Sequence, residues 1–182
     1  VREIFSRDLQ RDMGQPYTRS EYCHLYLNGQ YWGLYQTHER PEGLYPESHL
    51  GGHADEYDIL KAMGKPGGYF KVLNKQGNDR AWRRLWEATR VGYESDEAYY
   101  AVQGCNTDGS RNPARDVLVD IDNLIDYMLA TYYVADPDGP MNREYMIPNN
   151  FYTLYHRGGQ RGFIFLRYDA EHSMDDVHMD LT

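Results

Sequence analysis

Three side chains are drawn to one place by the pattern of elements around them: Asp138, Asn150 and Asp169. Asp138 follows a strongly periodic stretch, Asn150 precedes an aromatic-rich run, and Asp169 follows the next such run. Two strands joined by a glycine turn form a hairpin, which sets the start of its first strand beside the end of its second. Asn150 and Asp169 are therefore expected together, with Asp138 on the loop that enters the same hairpin. An aspartate and an asparagine side by side offer hard oxygens suited to magnesium. A further carboxylate at that mouth can orient or deprotonate a hydroxyl while the metal holds phosphates. The same residue types are also common turn and cap formers, and Pro137-Asp138-Gly139-Pro140 reads equally well as a turn.

Other potential chemistry is weaker. Glu39 and Lys61 lie on separate expected strands and can meet as an ion pair across a sheet, or stand as an ordinary surface pair of little worth. The C-terminal stretch holds Asp169, Glu171, His172, Asp175, Asp176, His178 and Asp180. His172 and His178 lack the i, i+4 spacing of a helical metal pair, and 175–180 reads as a solvated acidic tail. His24, His38, His49 and His53 show no zinc spacing. Residues 64–68 are rich enough in glycine to cradle phosphate, but the sequence has no dinucleotide fingerprint, Walker loop or nucleophile elbow.

The elements that must position these residues follow from periodicity. Ile4, Phe5, Leu9 and Met13 predict a short amphipathic helix over 2–13, stopped by Gly14 and Pro16. Alternation on both sides of Asn28-Gly29 predicts a hairpin with strands at 21–27 and 30–38, and Gly33 marks a bulge or close backbone approach. Residues 41–52 read as a loop with room for one helical turn, and 57–61 as a short strand. The glycines of 63–79 make that stretch largely loop, with room for a short strand at 69–73. Helices are expected at 79–92 and 95–103, followed by a polar linker at 104–116. The strongest pattern, Ile121, Leu124, Ile125, Met128, Leu129, Tyr132 and Tyr133, predicts a helix over 120–135, with Asp120 or Asp122 serving its start. A second hairpin follows, with strands at 151–155 and 163–166.

Composition sets the outer limits. The chain has 182 residues, a formal net charge of −9, 41% hydrophobic and 26% charged residues, and 18 tyrosines against 5 phenylalanines. That supports a packed core and excludes disorder. No run approaches the roughly 20 apolar residues of a membrane span, and the acidic balance argues against a general nucleic-acid binder. Cys23 and Cys105 are too few for a zinc cluster but enough for one disulfide. Because the chain starts at Val1, it is expected to be a mature segment, an excised domain or a fragment.

Several segments together resemble the CotH spore-coat kinase family. These are the run Tyr22-Cys23-His24-Leu25-Tyr26-Leu27-Asn28-Gly29-Gln30-Tyr31-Trp32-Gly33-Leu34-Tyr35 with Glu39-Arg40; Glu56-Tyr57-Asp58-Ile59-Leu60-Lys61; residues 119–127; Asp138; Asn149-Asn150-Phe151-Tyr152; and the run from Phe165 to Ser173. The resemblance extends over about residues 2–174 and implies an α+β, atypical protein-kinase-like fold of antiparallel hairpins plus helices. It implies a single domain segment over 1–182, with 1–104 as the N-lobe-like part and 117–182 holding the catalytic and metal hairpin, incomplete at both ends. It further implies use of ATP and Mg2+ or Mn2+ to phosphorylate serine or threonine of a protein partner, outside the cytoplasm. By the same resemblance Asp138 is the catalytic aspartate, Asp169 and Asn150 hold metal, and Glu171 is a second acidic ligand. Lys61 and Glu39 are the charged pair that places phosphates.

Two other classes fit the same residues. One is a non-catalytic surface or adhesion module, with tyrosines serving recognition. The other is a kinase-like transferase of AMP or glutamate, since fold does not fix reaction. The tyrosines of both hairpins are expected to be structural.

Overall fold

A computed structural model describes residues 1–65, 69–140, 148–176 and 178–179. The order of elements is α1 (Arg2–Asp12), β1 (Ser20–Leu27), β2 (Gln30–His38), α2 (Tyr45–Leu50), a single 3-10 turn (Ala54–Glu56), β3 (Tyr57–Lys65), β4 (Tyr69–Gln76), α3 (Arg80–Val91), α4 (Asp96–Ala101), α5 (Ile121–Tyr133), β5 (Phe151–His156) and β6 (Ile164–Arg167). Helices and antiparallel sheets are mixed, so the chain is α+β as expected.

β1 and β2 form a two-stranded ribbon of their own. Asn28 (φ 52°) and Gly29 (φ 80°) both take the left-handed conformation that a tight hairpin turn requires. The register slips between Leu25–Gly33 and Tyr26–Tyr31, which leaves Trp32 as the extra residue of a bulge beside Gly33.

The other four strands make one antiparallel sheet in the order β4-β3-β5-β6. Strand alternation divides its side chains between two cores. Leu60, Ala62, Phe151, Tyr155, Phe163 and Phe165 pack with Ala81 and Leu85 of α3, Val102, and Tyr127 of α5. Tyr57, Ile59, Tyr152, Leu154, Ile164 and Leu166 pack on the opposite face with Tyr45 and Leu50 of α2. Lys61 is paired with Tyr152 and Leu73 and shares the second face.

Three expectations are corrected. The stretch after Lys61 is a hairpin, not mainly loop, because β3 continues to Lys65 with β4 beside it. Gly64 there gives its N–H to Asn149 Oδ1 at 2.7 Å, a close approach that explains a glycine in a strand. α1 is present, but the face it buries is polar: Ser6, Arg7 and Gln10 are enclosed while Phe5 is exposed. The tyrosines divide as well. Tyr152 and Tyr155 are buried, whereas Tyr22, Tyr26, Tyr31 and Tyr35 of the ribbon are exposed. Cys23 and Cys105 are free thiols. The start of α5 is capped by Asp120, which accepts the N–H of Asn123 at 3.0 Å.

Candidate active site

The hairpin β5–β6 does what its register requires. Phe151 pairs with Arg167, so Asn150 and the turn after Arg167 emerge at the same end of the sheet. Asn150 (φ 47°) and Asp169 (φ 56°) both take left-handed backbone, a conformation in which Asn and Asp are enriched among non-glycine residues. The Asn150 amide donates to Asp138 Oδ2 at 2.9 Å and reaches the Asp169 carbonyl at 3.4 Å. The Asn149 amide donates to Asp138 Oδ1 at 3.0 Å. Asp138, Asn150 and Asp169 are thus gathered at one place, and the aspartate two residues earlier is not part of it.

Asp136 is instead buried and ion-paired with Arg167 at 2.8 Å, both side chains about 1% exposed. Its other oxygen accepts the Asp138 N–H at 3.2 Å. Arg167 also donates to Ser6 Oγ (2.7 Å) and Thr131 Oγ1 (2.8 Å). Burial pushes the Asp136 carboxyl up, and the Arg167 guanidinium opposes that. Each member of the pair stands two residues before an acid of the site, so one buried contact sets the spacing of both acid-bearing turns.

Lys61 enters from β3. Its Nζ lies 4.3 Å from the centre of the Tyr168 ring and 5.5 Å from that of Tyr152. Burial lowers the Lys61 pKa, while Asp169 and Glu42 pull it back up. Glu39, expected as the partner of Lys61, is engaged elsewhere: it accepts from Arg19 side chain and backbone and from His49. The second carboxylate that acts on Lys61 besides Asp169 is Glu42, which takes the Tyr152 hydroxyl and lies 3.6 Å from Lys75. Glu42 sits in the turn that follows Glu39, and the sequence signals it only as a second acid near Pro41.

Beside Asp169 a cleft of about 510 Å³ opens between the start of α1 and the end of β2, lined by Glu3, Arg7, Gln36, His38, Tyr168 and Glu171 among others. Glu171 is exposed, with His172 Nε2 at 3.9 Å. His172 is held above its usual pKa by its hydrogen bond to Asp175, to which the Asp138 charge adds. Burial and the Arg7 charge lower the pKa of His38, which meets the Tyr168 ring edge-on at 6.4 Å. Among the described residues no three His, Cys, Asp or Glu side chains gather closely enough to hold a metal by themselves. Asp169 and Asn150 nonetheless carry oxygens of the kind magnesium accepts, a cation that takes few protein oxygens and completes its shell with water and phosphate. The glycine stretch at 64–68 lies partly outside the described residues, as does Asp180 of the acidic tail.

The sequence matches the CotH kinase protein family over residues 1–181. The chain belongs to the CotH kinase family. No curated protein matches the sequence. Kinase chemistry in general calls for ATP and a divalent cation, and in this CotH chain the gathered residues are of the types such chemistry uses: a carboxylate held by two amides, a second carboxylate on a strained turn, and a partly buried lysine. No helix among the described residues is long and apolar enough to cross a membrane.

Proposed function

We propose that this CotH-family chain is an ATP-dependent protein kinase that transfers the γ-phosphate to serine or threonine of a protein partner outside the cytoplasm. The observation that carries the reading is the amide clamp on Asp138: Asn149 and Asn150 hold both its oxygens, and Asn150 ties it to the Asp169 turn. A carboxylate fixed at both oxygens is aimed, and aim is most of what phosphoryl transfer asks of a protein. Asp138 orients the acceptor hydroxyl and takes its proton as the new O–P bond forms and the bond to ADP breaks. Lys61, kept partly dry by two tyrosine rings, faces the phosphates as a fixed positive charge. Asp169 and Asn150 would hold Mg2+ or Mn2+, with Glu171 as a second acid at the cleft. When bound, the metal neutralises charge on the phosphates. Asp169 and Glu42 are the carboxylates that favour the Lys61 charge, while Glu39 is taken by Arg19 and His49.

The test is transfer from γ-labelled ATP to a protein acceptor, with the product weighed by mass spectrometry. Asp169→Ala is expected to abolish labelling and Asp138→Asn to lower it about 100-fold or more. Labelling that survives Asp169→Ala sinks the assignment; a mass gain of AMP or glutamate replaces the reaction. The exposed aromatics of the β1–β2 ribbon, Tyr26, Tyr31 and Trp32, with the exposed Leu34 beside them, favour one second reading, a recognition module without turnover. Absence of any thermal shift at millimolar magnesium and ATP would select it.

A further inference from the structure

Glu3 lies far from Asp169 in sequence, yet its carboxylate meets the turn that presents Asp169. Glu3 Oε1 accepts the Asp169 N–H at 3.2 Å, and Oε2 accepts the N–H of Ala170. Two successive N–H groups at a left-handed residue form a small concavity for an anion; here the anion is a side chain of the protein. Arg7, one helical turn on, holds Glu3 with a fork, Nε and Nη2 both 2.5 Å from Oε1. Arg7 is about 1% exposed. It also donates to Thr18 Oγ1 and to the Glu39 carbonyl at 3.4 Å, and its guanidinium lies 5.7 Å from the Tyr168 ring centre. Glu3 therefore sits next to Asp169 with its charge balanced and its oxygens occupied.

From this arrangement we infer that Glu3, clamped by Arg7, is a positioning residue that fixes the backbone of the Asp169 turn and so aims the Asp169 carboxylate. The inference rests on the kinase reading, in which Asp169 holds metal. Aspartates in turns commonly cap their own backbone. Glu3 does that for Asp169, which frees the aspartate from the task and directs it toward the cleft. Residues that orient a ligand without touching the metal are worth about 10- to 100-fold in metal affinity.

Glu3→Gln keeps the size and an accepting oxygen and removes the charge. Two measurements follow on the whole chain. Amide hydrogen exchange is expected to speed at Asp169 and Ala170, while Leu154 and Leu166 keep their protection. The magnesium concentration needed for half-maximal ATP turnover is expected to rise about 10-fold or more, with kcat at saturating magnesium retained. Arg7→Lys keeps the charge but loses the fork, and should give the same change in smaller measure. Unchanged exchange at the two amides, an unchanged magnesium requirement, or a loss of kcat that magnesium does not restore each overturns the inference. If wild-type protein neither binds nor uses magnesium-ATP, the kinase reading itself falls, while the exchange comparison still reports whether Glu3 holds the turn.

Discussion

Lys61 is a cation beside two tyrosine rings on the sheet face that also carries Ile59, Leu154, Ile164 and Leu166. Burial works against its charge and the rings, with Asp169 and Glu42, work for it. Such a residue is kept for what it does, so removal of its charge is expected to leave the fold intact. Lys61→Met should melt within about 1 kcal/mol of wild type in stability, yet lose the thermal shift produced by magnesium-ATP. A variant that still gives the full shift would place the phosphates away from β3. At this scale the sequence was readable where one hairpin decided the outcome. Asn150 and Asp169 meet because Phe151 pairs with Arg167, and that follows from two strands and a turn. Glu42 and Glu3 were not readable, because their closeness to Lys61 and Asp169 depends on a loop's path and on how α1 docks. The i, i+4 pair Glu3 and Arg7 looks in sequence like an ordinary surface pair on a helix.

The elements are held in relation by buried polar contacts as much as by apolar ones. Asp136, just past α5, and Arg167, at the end of β6, form the buried pair that spaces Asp138 from Asp169. Breaking one side of such a pair strands a charge. Asp136→Asn should lose about 3 kcal/mol or more, read from urea unfolding. The double change Asp136→Leu with Arg167→Met should recover much of that stability, since apolar replacement of a buried pair is often neutral or better. Phosphate transfer should stay low in the double variant, because Asp138 has lost the side chain that accepts its N–H. Full recovery of both would show that the pair is only structural. α1 shows why such contacts escape periodicity. Its apolar spacing predicts a helix correctly, but the buried face is Ser6, Arg7 and Gln10, whose partners are hydrogen-bonding groups on β6 and around the site. The hairpin β3–β4 escaped for a different reason: glycine signals a loop, yet Gly64 is where a strand meets an asparagine side chain.

Across the whole molecule, one four-stranded sheet joins residues from before and after the polar linker, and both of its faces are covered. Its β6 edge is also covered, by side chains in place of a strand. Gln10 donates to the Phe165 carbonyl at 2.7 Å and accepts the Arg167 N–H at 2.9 Å, and Asn123 accepts the Phe165 N–H at 2.6 Å. Gln10→Leu leaves buried backbone groups without partners and should lower stability by about 1–3 kcal/mol, measured by chemical unfolding; an unchanged midpoint would mean the edge is satisfied in another way. The helices and hairpins were legible from the alternation of periods along the chain, and the α+β class from the family resemblance. The closure of the edge was not, since nothing local marks Gln10 as a substitute strand. That closure has a consequence in time. Gln10 and Phe165 are separated by 155 positions, so α1, which also packs on α5 and β1, completes its docking only when β6 is in place. An isolated helix of 11 residues is marginal in water. α1 is then expected to order late, and Glu3 with it. A chain whose α1 has not yet docked would hold the Asp169 turn without Glu3 on its backbone N–H groups, so the final aim of that turn would arrive late in folding.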